Sequence, residues 1–443
     1  MKLRILITSL LLASPTMLLA DAVKIDSTLA GHAILHAETL ISAPKDAPSA
    51  LQVSGKFTTD SKRSTNAVTD GNDLPFKGQP MQGFSGIKAI GDGRYYVLTD
   101  NGFGSKANSP DAMLFFNIIK PDFEKGIVAI EKTTFLNDAN KVIPFNITME
   151  GSDTRYLTGA DLDLEGFQIV GDNIVIGEEF GPFIIVADLQ SGTVSEFHET
   201  VVDGEVVKSP DHYTLKLPNP DADKPAYNLK RSRGYEGFAS SMDGKLLYPL
   251  LEGPLYDAGE KAYETINGKT ALRILEMTAK DRQWTGRSWF YPLEDANHAI
   301  GDFNMIDETR GMIIERDGGQ GDEDLVCKDD KTKDCFKNPA RFKRIYMIDF
   351  KDVEPGQAVQ KVAYIDLLDI KDPNKVARLG QREDGRFTFP FVTIENVDRA
   401  DETHIIVGND NNFPFSKGRD LVKRDNNEMI LLEAEDFLNA KAK

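Results

Sequence analysis

The sequence has few of the residues and motifs that many catalytic sites require. Its six histidines show no zinc-protease spacing, and it has neither a glycine-rich phosphate loop nor a dinucleotide-binding motif. The segment GFSGI at residues 83–87 resembles a nucleophile elbow, but it lacks the final glycine and precedes a strand, so it does not favour Ser85 as a nucleophile. Helical periodicity is also missing over any long stretch, which argues against a mainly helical fold.

Cysteine is nearly absent. The two cysteines, Cys327 and Cys335, lie close together in the segment VCKDDKTKDCF. A pair of cysteines with no nearby histidine is not typical of a metal site. In an exported chain such a pair indicates a disulfide that closes a short loop, with two free thiols as the alternative.

Basic residues are outnumbered by acidic ones. The chain has 52 Lys and Arg residues against 70 Asp and Glu residues, and its formal net charge is −18. Such a surface repels nucleic acid and anionic membranes. We therefore expect no nucleic-acid partner, and an affinity for cations.

Long apolar runs are confined to the N-terminus. Residues 1–20 carry Lys2 and Arg4 ahead of an apolar run, which predicts a signal peptide cleaved after about Ala20. A retained N-terminal anchor is the alternative. The mature chain, residues 21–443, has no further candidate membrane span and no interdomain linker, so we expect a single-domain monomer that is periplasmic or secreted.

The sequence does contain a repeated hairpin. Each copy has a small or acidic residue, a short apolar strand, a turn rich in Asp, Gly or Asn, a second apolar strand and a closing acidic residue. Turns such as Gly171-Asp172-Asn173 can adopt the positive φ values that tight hairpins need. The five copies lie at residues 84–102, 164–181, 232–255, 300–318 and 394–411.

Two further strand candidates follow most copies, for example LFFNIIK and IVAIEKTTF after the first. Four antiparallel strands per repeat predict an all-β fold, a β-propeller with five or six four-stranded blades. The fifth copy lacks its outer strand, and the N-terminal segments HAILHAETLIS and ALQVSGKFT offer one, so we expect an N-terminal strand to close the ring. Residues 30–80 or 366–393 are candidates for a sixth blade, and a pair of β-sandwiches is the alternative fold.

Acidic residues lie at both ends of each hairpin, where neighbouring strands are about 5 Å apart. Equivalent positions of all blades face the axis of a propeller, so these carboxylates are expected to converge at one opening and to need cations. Hard oxygen ligands favour Ca²⁺, or another divalent cation. Backbone hydrogen bonding in turns is the alternative role for any single acid. The predicted metal ligands are Asp100, Glu165, Glu179, Glu236, Glu252, Asp302, Glu315, Glu395 and Asp410.

Basic residues near these acids indicate an anionic substrate, because a guanidinium group matches phosphate or carboxylate. We predict that Arg233, Lys417 and Arg419 bind the substrate. Ion pairing that merely neutralises the acids is the alternative.

The repeats resemble those of the phytase-like family, whose members are described by an esterase-like activity of phytase. The resemblance rests on GFSGI with VLTDNGFG, DLEGF with GEEFGPF, SRGYEGFA with PLLEGPL, KRIYMIDF, and IENVDR with NDNNFPFS, and it covers about residues 80–435. It implies a propeller-like fold, export and Ca²⁺-assisted hydrolysis of phosphoesters. The family's Arg-x-x-Glu-Gly element is Arg233, Glu236 and Gly237 here, and the first copy departs from the pattern with Ser85 where others carry an acid.

Three functions follow as hypotheses. The first is an exported Ca²⁺-dependent phosphoester hydrolase that acts on a small anionic ester. The second is a propeller lactonase or carboxylesterase with one axial Ca²⁺ and a carboxylate or His298 as base, and the third is a non-catalytic binding propeller. For the first, the predicted catalytic residues are Glu165, Glu236, Glu395 and Arg233.

Overall fold

The computed structural model describes residues 21–58, 74–215, 227–328 and 333–442. The predicted signal peptide, residues 1–20, lies outside the described residues. Within them the fold is all-β, as predicted, and none of its helices is long and apolar enough to cross a membrane. The helical segments are three 3₁₀ turns, Ser49–Gln52, Lys106–Asn108 and Glu323–Leu325, and the helix α1, Glu435–Leu438. The first of these turns lies in ALQVSGKFT, so that segment does not supply the predicted strand.

Thirty strands run through the described residues. The first fourteen are β1 (Val23–Lys24), β2 (Thr28–Leu35), β3 (Leu40–Ile41), β4 (Gln79–Pro80), β5 (Phe84–Gly91), β6 (Arg94–Thr99), β7 (Phe115–Asp122), β8 (Ile127–Phe135), β9 (Leu164–Val170), β10 (Asn173–Glu178), β11 (Phe183–Asp188), β12 (Val194–Glu199), β13 (Val201–Val202) and β14 (Glu205–Val206). The others are β15 (Tyr235–Ser240), β16 (Leu246–Leu251), β17 (Tyr256–Asp257), β18 (Ala262–Tyr263), β19 (Thr265–Ile266), β20 (Lys269–Thr278), β21 (Trp284–Pro292), β22 (Ala299–Met305), β23 (Arg310–Arg316), β24 (Lys343–Asp349), β25 (Gln360–Asp366), β26 (Ile370–Lys371), β27 (Arg386–Phe387), β28 (Thr393–Arg399), β29 (His404–Asp410) and β30 (Asn427–Glu433).

Most of these strands form five antiparallel units of four strands. Unit 1 is β5–β8, unit 2 is β9–β12, unit 3 is β15, β16, β20 and β21, unit 4 is β22–β25, and unit 5 is β28–β30 together with the N-terminal strand β2. Strand β1 adds to the outer edge of unit 4 in parallel with β25. The first strand of each unit contacts the first strand of the next, and β28 contacts β5, so the five first strands surround a common axis.

The hydrophobic core lies between the units. A strand covered on both faces is expected to be apolar at nearly every position, and alternate side chains point to opposite faces. In β10, Ile174 and Ile176 pack against unit 1, whereas Val175 packs against unit 3. Each pair of adjacent units shares one such cluster, which explains why the second strand of every repeat reads as a continuous apolar run.

The cysteine pair forms the predicted disulfide. Cys327 and Cys335 are bonded, with their Cα atoms 4.9 Å apart, in the loop between β23 and β24. The bond closes a loop of a few residues within unit 4.

Candidate functional site

The first strand of each unit carries a β-bulge near its start, which is a local irregularity that re-aims a side chain. Glu165, Glu236 and Glu395 stand at the bulges of units 2, 3 and 5. The glycine after the acid is required for packing in unit 2, because a Cβ on Gly166 would lie 2.7 Å from the carbonyl oxygen of Glu236. The bulge therefore brings the acid of one unit close to the backbone of the next.

A second set of side chains comes from the end of the second strand of each hairpin. In each hairpin, the residue that precedes this side chain pairs with the residue that precedes the bulge. Glu178 pairs with Leu164, and Leu251 pairs with Tyr235. The equivalent positions in units 1 to 5 hold Asp100, Glu179, Glu252, Arg316 and Asp410.

These positions converge on one buried cluster of carboxylates. In each of three overlapping groups, one oxygen of every member lies within 4.8 Å of the others. All six members are buried, with exposures between 4% and 8%. The groups are Asp163, Glu165 and Glu179; Glu165, Glu236 and Glu395; and Glu179, Glu236 and Glu252. We call these six residues the carboxylate ring.

The partners of Glu395 and Glu236 differ. Glu395 is fixed by both oxygens, because Nη2 of Arg316 donates to Oε1 at 2.7 Å and Oγ of Ser85 donates to Oε2 at 3.2 Å. Glu236 Oε1 is buried and has no hydrogen-bond partner among the described residues, although Arg316 Nη2 lies 3.6 Å away. An ionised oxygen left in this way is costly unless a cation or a proton satisfies it.

Arg233 stands at the rim of the ring. Its Nη1 lies 2.6 Å from Glu252 Oε2, yet the side chain is 45% exposed. The charges of Glu252, Glu179 and Glu236 raise the pKa of Arg233, with burial opposing them. The guanidinium thus contacts the ring on one side and solvent on the other, as the predicted substrate-binding role requires.

Burial and the charges of neighbouring carboxylates raise the pKa values of several acids at the site. Burial, with the charges of Asp163 and Glu395, raises the pKa of Asp100 to about 8. Burial raises the pKa of Asp163 to about 6, against hydrogen bonds from Asn101. Burial, together with the charges of neighbouring carboxylates, places the pKa values of Glu165, Glu179, Glu236 and Asp410 well above their usual range. The charges of ring acids act on both Asp100 and Asp410, so these two residues lie beside the ring.

Four predicted ligands lie outside the three groups: Asp100 and Asp410, which are beside the ring, and Asp302 and Glu315, which make other contacts. Asp302 is one residue beyond the first bulge position of unit 4, and its Oδ2 accepts the backbone N–H groups of Ile87 and Val397, each at 3.2 Å. Glu315 is one residue before the ring position of β23, and it accepts hydrogen bonds from His298, Tyr291 and Lys361. A shift of one residue turns a side chain to the opposite face of a strand, which accounts for both placements.

We predict that Asp302 is needed for stability. It joins the first strands of units 4, 1 and 5 at the axis, so Asp302→Ala leaves buried amides without an acceptor, at about 1–3 kcal/mol each. Urea unfolding should show a loss of roughly 2 kcal/mol or more, with unchanged Ca²⁺ binding by calorimetry. Asp172→Ala, at an exposed hairpin turn, is the control and should be neutral. Weaker Ca²⁺ binding in Asp302→Ala would instead indicate that Asp302 is a metal ligand.

The other predicted substrate-binding residues lie in different surroundings. The guanidinium of Arg419 donates to both oxygens of the buried Glu428 and to the carbonyl oxygen of Thr388. Lys417 is half-buried, and within the described ranges its ammonium has no ion-pair partner. Of the basic residues predicted to bind substrate, Arg233 is thus the one that the structure brings to the carboxylate ring.

Two members of the site are missing from the predicted ligands and catalytic residues. Asp163 stands immediately before the first strand of unit 2, and Arg316 closes the hairpin of unit 4. Aligning Glu315-Arg316 with Glu178-Glu179 by strand register would have found Arg316, because the ring position is the second residue of each pair.

The donor set suits a hard divalent cation. The ring offers six carboxylates with two arginines as neighbours, so its negative charge is only partly neutralised. Ca²⁺ takes six to eight oxygen ligands, including carboxylates, in flexible geometry. The unpaired Glu236 Oε1 is the atom that most clearly requires such a partner.

Comparisons with known proteins point to one family. The family model described as Phytase-like, esterase-like activity of phytase, matches residues 79–413. Among curated proteins no relative matches. Two similar solved structures are a luciferin-regenerating enzyme, 11% identical over 81% of this chain and 80% of that chain with a TM-score of 0.30, and a PQQ-bound aldose sugar dehydrogenase from Streptomyces coelicolor, 12% identical over 80% of this chain and 94% of that chain with a TM-score of 0.32. These structural likenesses are too distant to bear on function.

Proposed function

The chain belongs to the phytase-like family, and on that basis we propose that it is an exported hydrolase of small anionic phosphoesters that depends on Ca²⁺ or a similar divalent cation. The observation that carries the proposal is the carboxylate ring, in which Glu236 Oε1 is buried with no hydrogen-bond partner from any described residue. The half-exposed Arg233 beside the ring supplies a cationic contact for the anionic part of a substrate.

The residues of the site would have two different roles, which are to bind the cation and to orient a neighbouring carboxylate. Glu165, Glu179 and Glu236 each belong to two of the three groups and would hold divalent cations there. A bound cation supplies Lewis acidity toward the phosphoryl oxygens and the attacking water. Arg316 and Ser85 keep Glu395 in one orientation.

Arg233 is suited to bind the ester. Its exposed guanidinium N–H groups would orient the ester and pair with the negative charge that its phosphoryl oxygens carry throughout the reaction. The site thus pairs a buried cation-binding part with an accessible anion-binding part.

We propose further that the five units are the blades of a five-bladed propeller closed by β2, with the ring at one end of its axis. The contacts among the five first strands and the pairing of β2 with β30 support this architecture. The disulfide is consistent with an oxidising compartment and so with export. We propose that the exported protein is a monomer.

Arg233→Gln should weaken substrate binding more than turnover. A hydrogen bond to a charged group is worth about 1.5–3 kcal/mol, so KM for a phosphate ester should rise about tenfold or more, while kcat changes little. Steady-state kinetics with Arg231→Gln as the control tests this, because Arg231 is two residues away but pairs with Asp211. An unchanged KM in Arg233→Gln would remove this residue from the substrate site.

The experiment that tests the function is a turnover panel. Purified protein is assayed on phosphomonoesters, phosphodiesters, lactones and aryl acetates, with Ca²⁺ and with chelator. We expect phosphoester hydrolysis that is lost with chelator and restored by Ca²⁺. Turnover of lactones or acetates alone would favour the lactonase or esterase hypothesis. No turnover in any condition would favour the binding protein.

A further inference from the structure

Unit 4 differs from the other units at both positions that form the ring. Its closing residue is Arg316, where the other units have Asp or Glu, and its bulge begins with Gly301. A Cβ on Gly301 would lie 2.3 Å from the carbonyl oxygen of Ile394, so that position has no room for a side chain. Unit 4 therefore contributes a positive charge to the ring and no carboxylate.

Arg316 is held among the acids. The residue is 8% exposed, and its Nη2 lies 2.7 Å from Glu395 Oε1 and 3.6 Å from Glu236 Oε1. These two acids belong to a group whose oxygens are close enough to share one cation. Within the described part of the chain, Arg316 Nε is buried without a hydrogen-bond partner, as is Glu236 Oε1. The single positive charge of the guanidinium thus partly offsets the charges of two ring acids. It leaves Glu236 Oε1 without a hydrogen bond from any described residue.

We propose that Arg316 is a built-in cation of the ring, which replaces one divalent cation and so limits how many the protein binds. The inference rests on the proposed function only in requiring that the ring binds divalent cations. A covalently attached charge cannot dissociate, so its hydrogen bond holds Glu395 in one orientation at any Ca²⁺ concentration. The alternative role, a contact with the substrate anion, would leave the number of bound cations unaffected.

The test is the Ca²⁺ stoichiometry of full-length mature protein, measured by titration calorimetry and by metal content after dialysis against Ca²⁺. Arg316→Lys keeps the charge and should bind the same number of ions as the wild type. Arg316→Glu supplies the missing ring acid and should bind one more ion per chain. Arg94→Glu, at the first residue of β6 and paired with Asp92 of the hairpin turn, is the charge-reversal control and should bind the wild-type number.

Arg316→Gln gives a second readout, because it removes the positive charge without adding a further carboxylate to the buried ring. Loss of one positive charge within a few ångströms should lower the Ca²⁺ concentration for half-saturation at least tenfold. If Arg316→Glu does not fold, as judged by its melting in Ca²⁺, the glutamine variant decides. The inference is overturned if Arg316→Glu folds and binds the wild-type number of ions, or if Arg316→Gln binds Ca²⁺ no more tightly than the wild type.

Turnover on the ester panel is measured with the same preparations. Wild-type turnover combined with an unchanged ion count in Arg316→Glu overturns this inference and leaves the proposed function intact. An extra ion in Arg316→Glu without any wild-type turnover supports the inference and removes the hydrolase assignment. Absence of Ca²⁺ binding in every variant overturns both.

Discussion

Replacing Glu236 by Gln should lower phosphoester turnover about 10²–10³-fold, the usual effect of removing one electrostatic stabiliser from an active site. Glu236 belongs to two of the three carboxylate groups, and its Oε1 is a buried ring oxygen without a hydrogen-bond partner in the part of the chain that the structure describes. An amide keeps the shape of the side chain but loses the charge, so Ca²⁺ binding should weaken together with turnover. Titration calorimetry and steady-state kinetics measure the two effects.

The same variant should become more stable when no metal is present. Glu236 is repelled by Glu395 and Glu252 in a buried site, so removing its charge relieves that repulsion. Glu276→Gln is the matched control, because Glu276 is also buried but lies outside the carboxylate groups beside Thr285 and Arg287. Wild-type turnover in Glu236→Gln, or an equal loss in Glu276→Gln, would contradict the assignment.

The second large effect is an inverted dependence of stability on pH in the metal-free protein. Asp163 and Asp100 have folded-state pKa values of about 6 and about 8, against about 4 in an unfolded chain. The folded protein therefore holds protons that the unfolded chain releases. The stability from these groups is fully present below about pH 4, and it is lost as the pH rises through 6 and 8.

Melting in chelator should reveal this loss. Each unit of pKa shift corresponds to about 1.4 kcal/mol per group, and 1 kcal/mol moves the Tm of a chain of this length by about 1 °C, since the unfolding entropy is about 2.1 cal/mol/K per residue. We expect Tm in chelator to fall by at least 5 °C between pH 5 and pH 8. Saturating Ca²⁺ should abolish the fall, because a cation that binds only the folded state replaces the protons. A Tm in chelator that stays constant or rises over this range would contradict the buried charge repulsion.

The strands and the disulfide could be predicted because their signals are local. Apolar runs such as NIVIG are covered on both faces by neighbouring units, and β10 lies where that run places it. HAILHAETLIS begins with the second half of β2, the strand that pairs with β30 of unit 5. ALQVSGKFT overlaps a 3₁₀ turn instead, and its Leu51 packs in the hydrophobic cluster between units 5 and 1.

The members of the ring were harder to predict, because a β-bulge changes which residue faces the axis. Glu165, Glu236 and Glu395 can be predicted from the sequence because, in these three units, the acid stands at the bulge. In unit 4 the acids Asp302 and Glu315 each stand one residue away from the ring position, and Arg316 takes the place expected for an acid. Spacing along one strand cannot reveal such a shift, whereas the register between the two strands does.

The most direct test of the central claim is diffraction from crystals grown with saturating Ca²⁺, with Mn²⁺ as an anomalous substitute. The account predicts ions about 2.3–2.6 Å from oxygens of Glu165, Glu236 and Glu179 when Ca²⁺ is bound. Carboxylates that contact only protein groups and one another at saturating Ca²⁺ would contradict it.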